Sequence, residues 1–281
     1  MTLVHTLLRT LKPGAHADEL QSPDPKIVGW IDRILTLLQY YFRTKIFGLE
    51  NLPQGKALLV GNHNAGITFL EPFFLGNAWY KRTKGRDPIY FLGHDIMVAM
   101  PFLGEMLSRL GVVRASKENA TALLQDDCKI MVFPGGNYEA FRPYSKRYQV
   151  DFGGKTGFVK LALRNQVNIV PVLSVGGHET FFVLWRGERL AKLTGINKLL
   201  RSESFPLFLG LPWGIGLGPI FHLPLPAKTL IEVGKPIDLS QYEPADANNR
   251  ELVVEISAEV QFRLQEMMDR RAGDRRWPVL G

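Results

Sequence analysis

The chain has 281 residues, 46% hydrophobic and 22% charged, which is enough for one large domain or two small ones with ample core. Cys128 is the one cysteine, so an internal disulfide and a cysteine-based metal site are excluded and a reducing compartment is expected. A net charge of +7 favours anionic partners: nucleic acid, acidic lipid or a phosphorylated ligand.

The first residues, MTLVHTLLRTLKPG, lack the basic and long apolar regions of a secretory signal. Residues 1–12 have the composition of a short helix, which Pro13 and Gly14 would end. Ile27, Trp30, Ile31, Ile34, Leu38, Tyr41 and Phe42 then recur at helical spacing, accompanied by Lys26, Arg33, Arg43 and Lys45. Such an amphipathic helix either packs on its own domain or lies in a membrane interface, where aromatic and basic groups are favoured.

The stretch ALLVGNHNAGITFLEP, residues 57–72, carries the most chemical information. ALLVG is an apolar run that predicts a buried strand, and it delivers His63 at its carboxyl end. Pro72 suits the first turn of a helix, where its missing N–H costs nothing. A second strand is predicted at Ile89–Leu92, a helix broken near Pro101 over 96–110, and a short strand at Gly111–Arg114. Lys117–Gln125 is a helix with Ser116 as N-cap. Lys129–Phe133 is a third apolar run, stopping at Pro134-Gly135-Gly136. A helix over 155–164 precedes a strand at Asn168–Leu173, whose Pro171 predicts an edge or a strand end.

Residues 205–227 contain no Lys, Arg, Asp or Glu, but five prolines and four glycines argue against one spanning helix. This segment is expected to be an apolar loop or hairpin, either covering a tunnel or dipping into lipid. A last strand at Thr229–Val233, a charged helix over 246–271 and a loose Arg-rich tail close the chain. Strands alternating with helices predict an α/β domain, layered around a central mixed, largely parallel sheet. The divisions are N-terminal amphipathic helices over 1–45, the main domain over 46–271 and a flexible tail over 272–281.

Functional residues gather on the carboxyl side of such a sheet, so His63, Arg114 and Gly135-Gly136 are expected near one another. Together they fit acyl transfer. His63 would take the proton of an alcohol, the glycine N–H groups would hold a tetrahedral oxyanion, and Arg114 would hold a phosphate or carboxylate. The plainer alternatives are a loop histidine, a surface arginine and an ordinary turn. Rival motifs are absent: Ser174 stands in Val-Leu-Ser-Val-Gly, one glycine short of a nucleophile elbow, and there is no phosphate-binding loop or metal spacing. No nucleic-acid motif accompanies the positive charge, which is therefore assigned to membrane and thioester phosphates.

The order of blocks resembles the lysophospholipid and glycerolipid acyltransferase superfamily over residues 46–240. Gly48-Leu49-Glu50-Asn51-Leu52-Pro53 with Gly61-Asn62-His63 is similar to its first block and Gly111–Arg114 to its second. Phe133-Pro134-Gly135-Gly136-Asn137-Tyr138-Glu139-Ala140 is similar to the third, and Ile169-Val170-Pro171-Val172 to the fourth. The Phe-Pro-Gly-Gly form with Glu139 looks most like the monoacylglycerol and diacylglycerol acyltransferase branch. The resemblance implies a peripheral or anchored membrane enzyme without metal or cofactor, which moves a fatty acyl group from acyl-CoA or acyl carrier protein to a lipid hydroxyl. Its expected place is the cytoplasmic face of an anionic membrane, with no nucleic-acid partner.

Two departures stand out. The superfamily places an Asp five residues after the histidine, where this chain has Thr68; Glu71, eight residues after it, is the expected partner of His63, with Glu139 in reserve. The third block commonly carries a Glu after its Pro and an Arg three residues later, where Gly135 and Tyr138 stand here. That removes a phosphate-binding charge and weighs against a lysophosphatidic acid-type acceptor. The loss of the usual Asp also leaves a rival expectation, a non-catalytic lipid-binding or transfer protein on the same fold.

Overall fold

The computed structural model describes residues 20, 22–64, 69–100, 102–195, 204–218, 220, 223–275, 277 and 279. The helix expected over residues 1–12 and the Thr68 position lie outside them. The strands are β1 (Lys45–Phe47), β2 (Ala57–Gly61), β3 (Ile89–Gly93), β4 (Val112–Arg114), β5 (Lys129–Val132), β6 (Ile169–Val175), β7 (Phe182–Trp185), β8 (Leu207–Gly210), β9 (Gly214–Leu217) and β10 (Leu230–Val233). The helices are α1 (Pro25–Tyr41), α2 (Glu71–Thr83), α3 (Asp95–Ala99), α4 (Leu103–Ser108), α5 (Lys117–Gln125), α6 (Asn137–Ala140), α7 (Gly157–Arg164), α8 (Gly177–Thr180), α9 (Glu188–Leu193) and α10 (Arg250–Gly273).

Seven strands form the central sheet in the order β1-β10-β6-β2-β5-β3-β4. The five strands from β6 to β4 are parallel, so their carboxyl ends share one rim. β10 runs antiparallel to β6, and β1 runs parallel to β10. All five residues of β2 are buried, as two-sided burial requires of a central parallel strand. Leu58 and Val60 face one layer, with Leu123, Leu163, Val260 and Leu264 of α5, α7 and α10. Ala57 and Leu59 face the other, with Leu35 of α1 and Phe74, Leu75 and Trp79 of α2. Period-two alternation in the strands is thus matched to one helical stripe on each side. Thus α1 does pack on its own domain, but only by one stripe: Trp30, Leu37 and Tyr40 are 63%, 72% and 87% exposed.

Several local signals act as expected. The Ser116 Oγ accepts the Asn119 N–H at 3.0 Å and starts α5, and α2 begins at Glu71-Pro72. Two expectations fail. Pro171 lies inside β6, between β10 and β2, rather than at an edge. Its missing N–H points toward β10 where that ladder ends, beyond the Val233–Val172 pair, and its carbonyl there accepts the Gly234 N–H at 2.8 Å. The chain end is also not loose at Arg275, which is buried, with Nε donating to the Lys228 carbonyl at 2.9 Å and Nη1 to Glu179 Oε1 at 2.8 Å.

The opposite end of the sheet is held by a buried ion pair. The Lys129 side chain is fully enclosed beside the Trp79 ring and its Nζ donates to Asp87 and to the Gly55 carbonyl. Removing one partner leaves the other charge stranded. Asp87→Asn is expected to lower stability by about 3–5 kcal/mol, read by denaturant unfolding; a loss indistinguishable from zero would show that Lys129 finds another counter-charge.

Candidate active site

β2 ends at Gly61, and the chain then places Asn62, His63 and Asn64 on the carboxyl rim between β5 and β6. Asn62 is fully buried and binds Ser174 of β6 like a backbone segment: its Nδ2 donates to the Ser174 carbonyl at 2.8 Å and its Oδ1 accepts the Ser174 N–H at 2.8 Å. That fixes the residue preceding the histidine. The His63 ring stacks on Phe69, with centroids 4.1 Å apart, and meets Phe133 edge-on at 5.6 Å.

The His63 Nδ1 lies 2.8 Å from the Asn64 carbonyl oxygen. A carbonyl only accepts, so Nδ1 carries the proton and Nε2 is left with its lone pair. Burial pushes the imidazole down to about 4, opposed by the Asn64 hydrogen bond and assisted by the Arg142 charge. The ring is therefore a neutral acceptor.

Glu71 does not hold that ring, contrary to expectation. Its Oε1 accepts Asn64 Nδ2 at 2.7 Å, and the same amide nitrogen reaches Ser174 Oγ at 2.5 Å. Glu71 thus fixes the residue whose carbonyl orients His63. Burial raises its pKa. The corner after β6 closes on this pair: a Cβ on Gly177 would stand 2.3 Å from Asn64 Cβ and 3.0 Å from Glu71 Oε1.

Glu139 is fully buried and acts on the histidine's backbone. Its Oε2 accepts the His63 N–H at 2.9 Å, and its Oε1 accepts the Asp151 N–H and Arg142 Nη1, both at 3.2 Å. Every neighbour is a donor, which suits the ionised carboxylate, although burial raises its pKa to about 7 against the pull of Arg142. Arg142 Nη2 in turn lies 2.9 Å from His178 Nε2. A guanidinium only donates, so His178 is neutral with its proton on Nδ1, and burial keeps its pKa well below the ordinary value.

Gly135 must lack a side chain because Glu139 folds over it: a Cβ there would lie 2.3 Å from Glu139 Cγ. Gly136 sits at φ +49°, ψ −136°, a conformation open to glycine. Its N–H donates to the Phe133 carbonyl at 3.1 Å, so it is spent within the turn and the expected pair of oxyanion donors is reduced. Among the described residues the Gly135 N–H has no acceptor. Arg114 ends β4 on the same rim, three strand spacings from β2, or about 14 Å. The structure therefore joins His63, Glu71, Gly135, Gly136 and Glu139 in one cluster and places Arg114 at the far end of the rim. Asn64, Arg142 and His178 went unrecognised in the sequence. Arg142, three residues after Glu139, was open to discovery as a helical-spacing ion pair; His178 comes from a distant strand end and gave no local signal.

The residues matched by a family model described as Acyltransferase are 43–175. An uncharacterized protein of Mycobacterium tuberculosis is 30% identical over 237 residues, covering 84% of this chain and 63% of that one. Diacylglycerol O-acyltransferase 2 of Dictyostelium discoideum is 29% identical over 219 residues, covering 73% and 64%. The chain thus spans somewhat under two thirds of the length of these relatives. The crystal structure of the 1-acyl-sn-glycerophosphate (LPA) acyltransferase PlsC from Thermotoga maritima superposes with a TM-score of 0.50 at 18% identity, covering 86% of this chain and 78% of that one, a likeness of fold.

Two measurements check this geometry. Nitrogen-15 NMR of the histidines should show His63 neutral, with Nδ1 protonated, at about pH 6, where an ordinary imidazole is largely charged; a ring titrating near its ordinary value would contradict the buried site. Glu139→Gln turns an amide NH2 toward backbone and guanidinium donors. It is expected to lower stability by about 1–3 kcal/mol and to cut any His63-dependent activity; unchanged unfolding would show that the carboxylate charge is dispensable. The block order, the sheet and the comparisons agree: residues 43–175 match the Acyltransferase family, and the comparisons support the glycerolipid acyltransferase superfamily as what this chain is similar to.

Proposed function

We propose that the protein transfers a fatty acyl group from a thioester of coenzyme A or acyl carrier protein to a lipid hydroxyl, with His63 as general base. The observation that carries this is the His63 ring on the rim, with its proton held on Nδ1 by the Asn64 carbonyl and Nε2 left to accept one. In the first step the hydroxyl proton passes to Nε2 as its oxygen attacks the thioester carbonyl. The resulting oxyanion would be met by the Gly135 N–H. Collapse breaks the carbon–sulfur bond, and the leaving thiolate takes the proton back from His63, so the enzyme ends unchanged. Glu71, through Asn64, and Glu139, through the His63 N–H, are positioning residues.

A neutral glycerolipid hydroxyl, that of a mono- or diacylglycerol, is the acceptor class favoured. Gly135 and Tyr138 stand where a phosphate-binding pattern would carry charge, and the Dictyostelium relative bears the name diacylglycerol O-acyltransferase. Arg114, at the far end of the rim, suits a phosphate of the thioester carrier. No helix among the described residues is long and apolar enough to cross a membrane. Peripheral attachment to the cytoplasmic face of an anionic membrane is supported by the +7 charge and by the exposed Trp30, Leu37 and Tyr40 of α1.

The test is thiol release from acyl-CoA in the presence of lipid extract, with acylated products identified by mass spectrometry. His63→Ala should lower turnover by about 100-fold or more with the fold retained. Near-normal turnover of that variant would remove His63 from the chemistry. Lipid capture with no thiol release from the wild type would favour a lipid carrier on the same fold.

A further inference from the structure

β7, β8 and β9 form a separate three-stranded antiparallel sheet, so residues 207–217, within the uncharged segment, do build a hairpin. Its two faces are both apolar, but they differ in what covers them. Phe208, Gly216 and Val183 point inward: Phe208 and Val183 pack with Ala140, Phe141 and Phe181, directly beside Glu139. Phe208 is fully buried, and a Cβ on Gly216 would stand 2.2 Å from its ring, so among the described residues the inner side is packed solid at Phe208.

The outer face carries Leu209 of β8 and Ile215 and Leu217 of β9, which are 46%, 72% and 46% exposed, and Leu184, 51% exposed, stands at the register shift of β7 beside it. Leu209 sits opposite Ile215, and Leu207 opposite Leu217, so these side chains form one plate. Trp185 and Trp213 are half exposed at its margin. A protein that left such a face to water would hold an apolar patch with no charge to interrupt it.

We infer that this outer face is a docking plate for a lipid bilayer and that it seats the His63 rim at the membrane surface. The inference deepens the proposed acyl transfer and rests on it for its purpose. Three features select lipid as the occupant. Residues 205–227 carry no Lys, Arg, Asp or Glu whose charge would have to be removed from water. Tryptophans at the margin of an aliphatic plate match the boundary between acyl chains and headgroups. Exposed Arg189 and Lys192 of α9 follow β7 and supply charges suited to anionic headgroups. The plate is also tied to α1. Leu211 bridges Leu223, and Tyr41 Oη donates to the Pro224 carbonyl at 2.9 Å, so the aromatic end of α1 adjoins the strand margin. Because a sheet edge cannot leave N–H and C=O groups unpaired in hydrocarbon, contact is by the face at shallow depth, without insertion of the hairpin.

The test uses the full chain with Cys128→Ser and a single new cysteine carrying an environment-sensitive NBD fluorophore. Ile215→Cys reports on the plate, and Val254→Cys, exposed on α10, is the control. On adding phosphatidylcholine vesicles with and without phosphatidylglycerol, NBD at 215 should brighten, shift to the blue and be quenched by lipids brominated in their acyl chains, with 254 unchanged. Leu209→Asp and Ile215→Asp should each lower vesicle affinity by about tenfold or more. Both should keep wild-type circular dichroism and wild-type thiol release from a water-soluble short-chain thioester. An unchanged signal at 215 overturns the inference. So does brightening at 215 without vesicles that rises with protein concentration, which would make a second copy the occupant. If no variant turns over thioester while 215 still enters lipid, acyl transfer fails and the docking plate stands.

Discussion

The Glu139 carboxylate is the interaction on which this site depends. A carboxylate removed from water needs donors on its oxygens, and leaving them out costs several kcal/mol. Here the donors come from three places: the His63 N–H after β2, the Asp151 N–H of a later loop, and Arg142 just beyond α6. Arg142 extends the set to His178 after β6. One buried charge therefore draws the ends of β2, β5 and β6 into a single rim. The same demand accounts for Gly135, which leaves the space that the folded-back Glu139 occupies.

Beside it runs a second chain of hydrogen bonds, through Glu71, Asn64 and Ser174. Its effect on His63 is indirect. The imidazole is oriented by a backbone carbonyl, and the carboxylate fixes the residue bearing that carbonyl. A carboxylate placed directly on the ring would favour its protonated form. A carbonyl in the same position sets the tautomer with less bias toward charge, and burial then keeps the ring neutral. The two networks divide the work: one holds the histidine's backbone, the other its ring.

The small sheet links this polar rim to the surface. Phe208 and Phe181, with ring centroids 4.6 Å apart, pack with Ala140 and Phe141, so the plate rests directly on the two residues after Glu139. Farther along the same corner, Glu179 gathers Tyr148 Oη at 3.0 Å and Arg275 Nη1 at 2.8 Å, which ties Arg275 to α8, the short helix that precedes the plate. The polar corner and the apolar plate thus share one short segment, 176–183.

Much of this was legible from local pattern. An unbroken apolar run made ALLVG a buried central strand, Ser116 three residues before Asn119 marked a helix start, and alternating strands and helices set the α/β class with His63 on a strand tip. These signals are carried within a few residues by periodicity, capping and turn chemistry. Pro171 is accommodated inside the sheet because the regular β10 ladder breaks beside it, after the Val233–Val172 pair, and resumes one residue out of register at the Ile169–Ile237 bridge, so its lost donor falls at an irregularity. Spacing favours Glu71 as the partner of the ring because distance along the chain says which residues are near, but not which atom of a neighbour a carboxylate meets. The roles of Glu139, Arg142 and His178 were settled by the juxtaposition of β2, β5 and β6, strands far apart in sequence, since a buried charge takes its donors from whatever the packed fold brings within hydrogen-bonding distance.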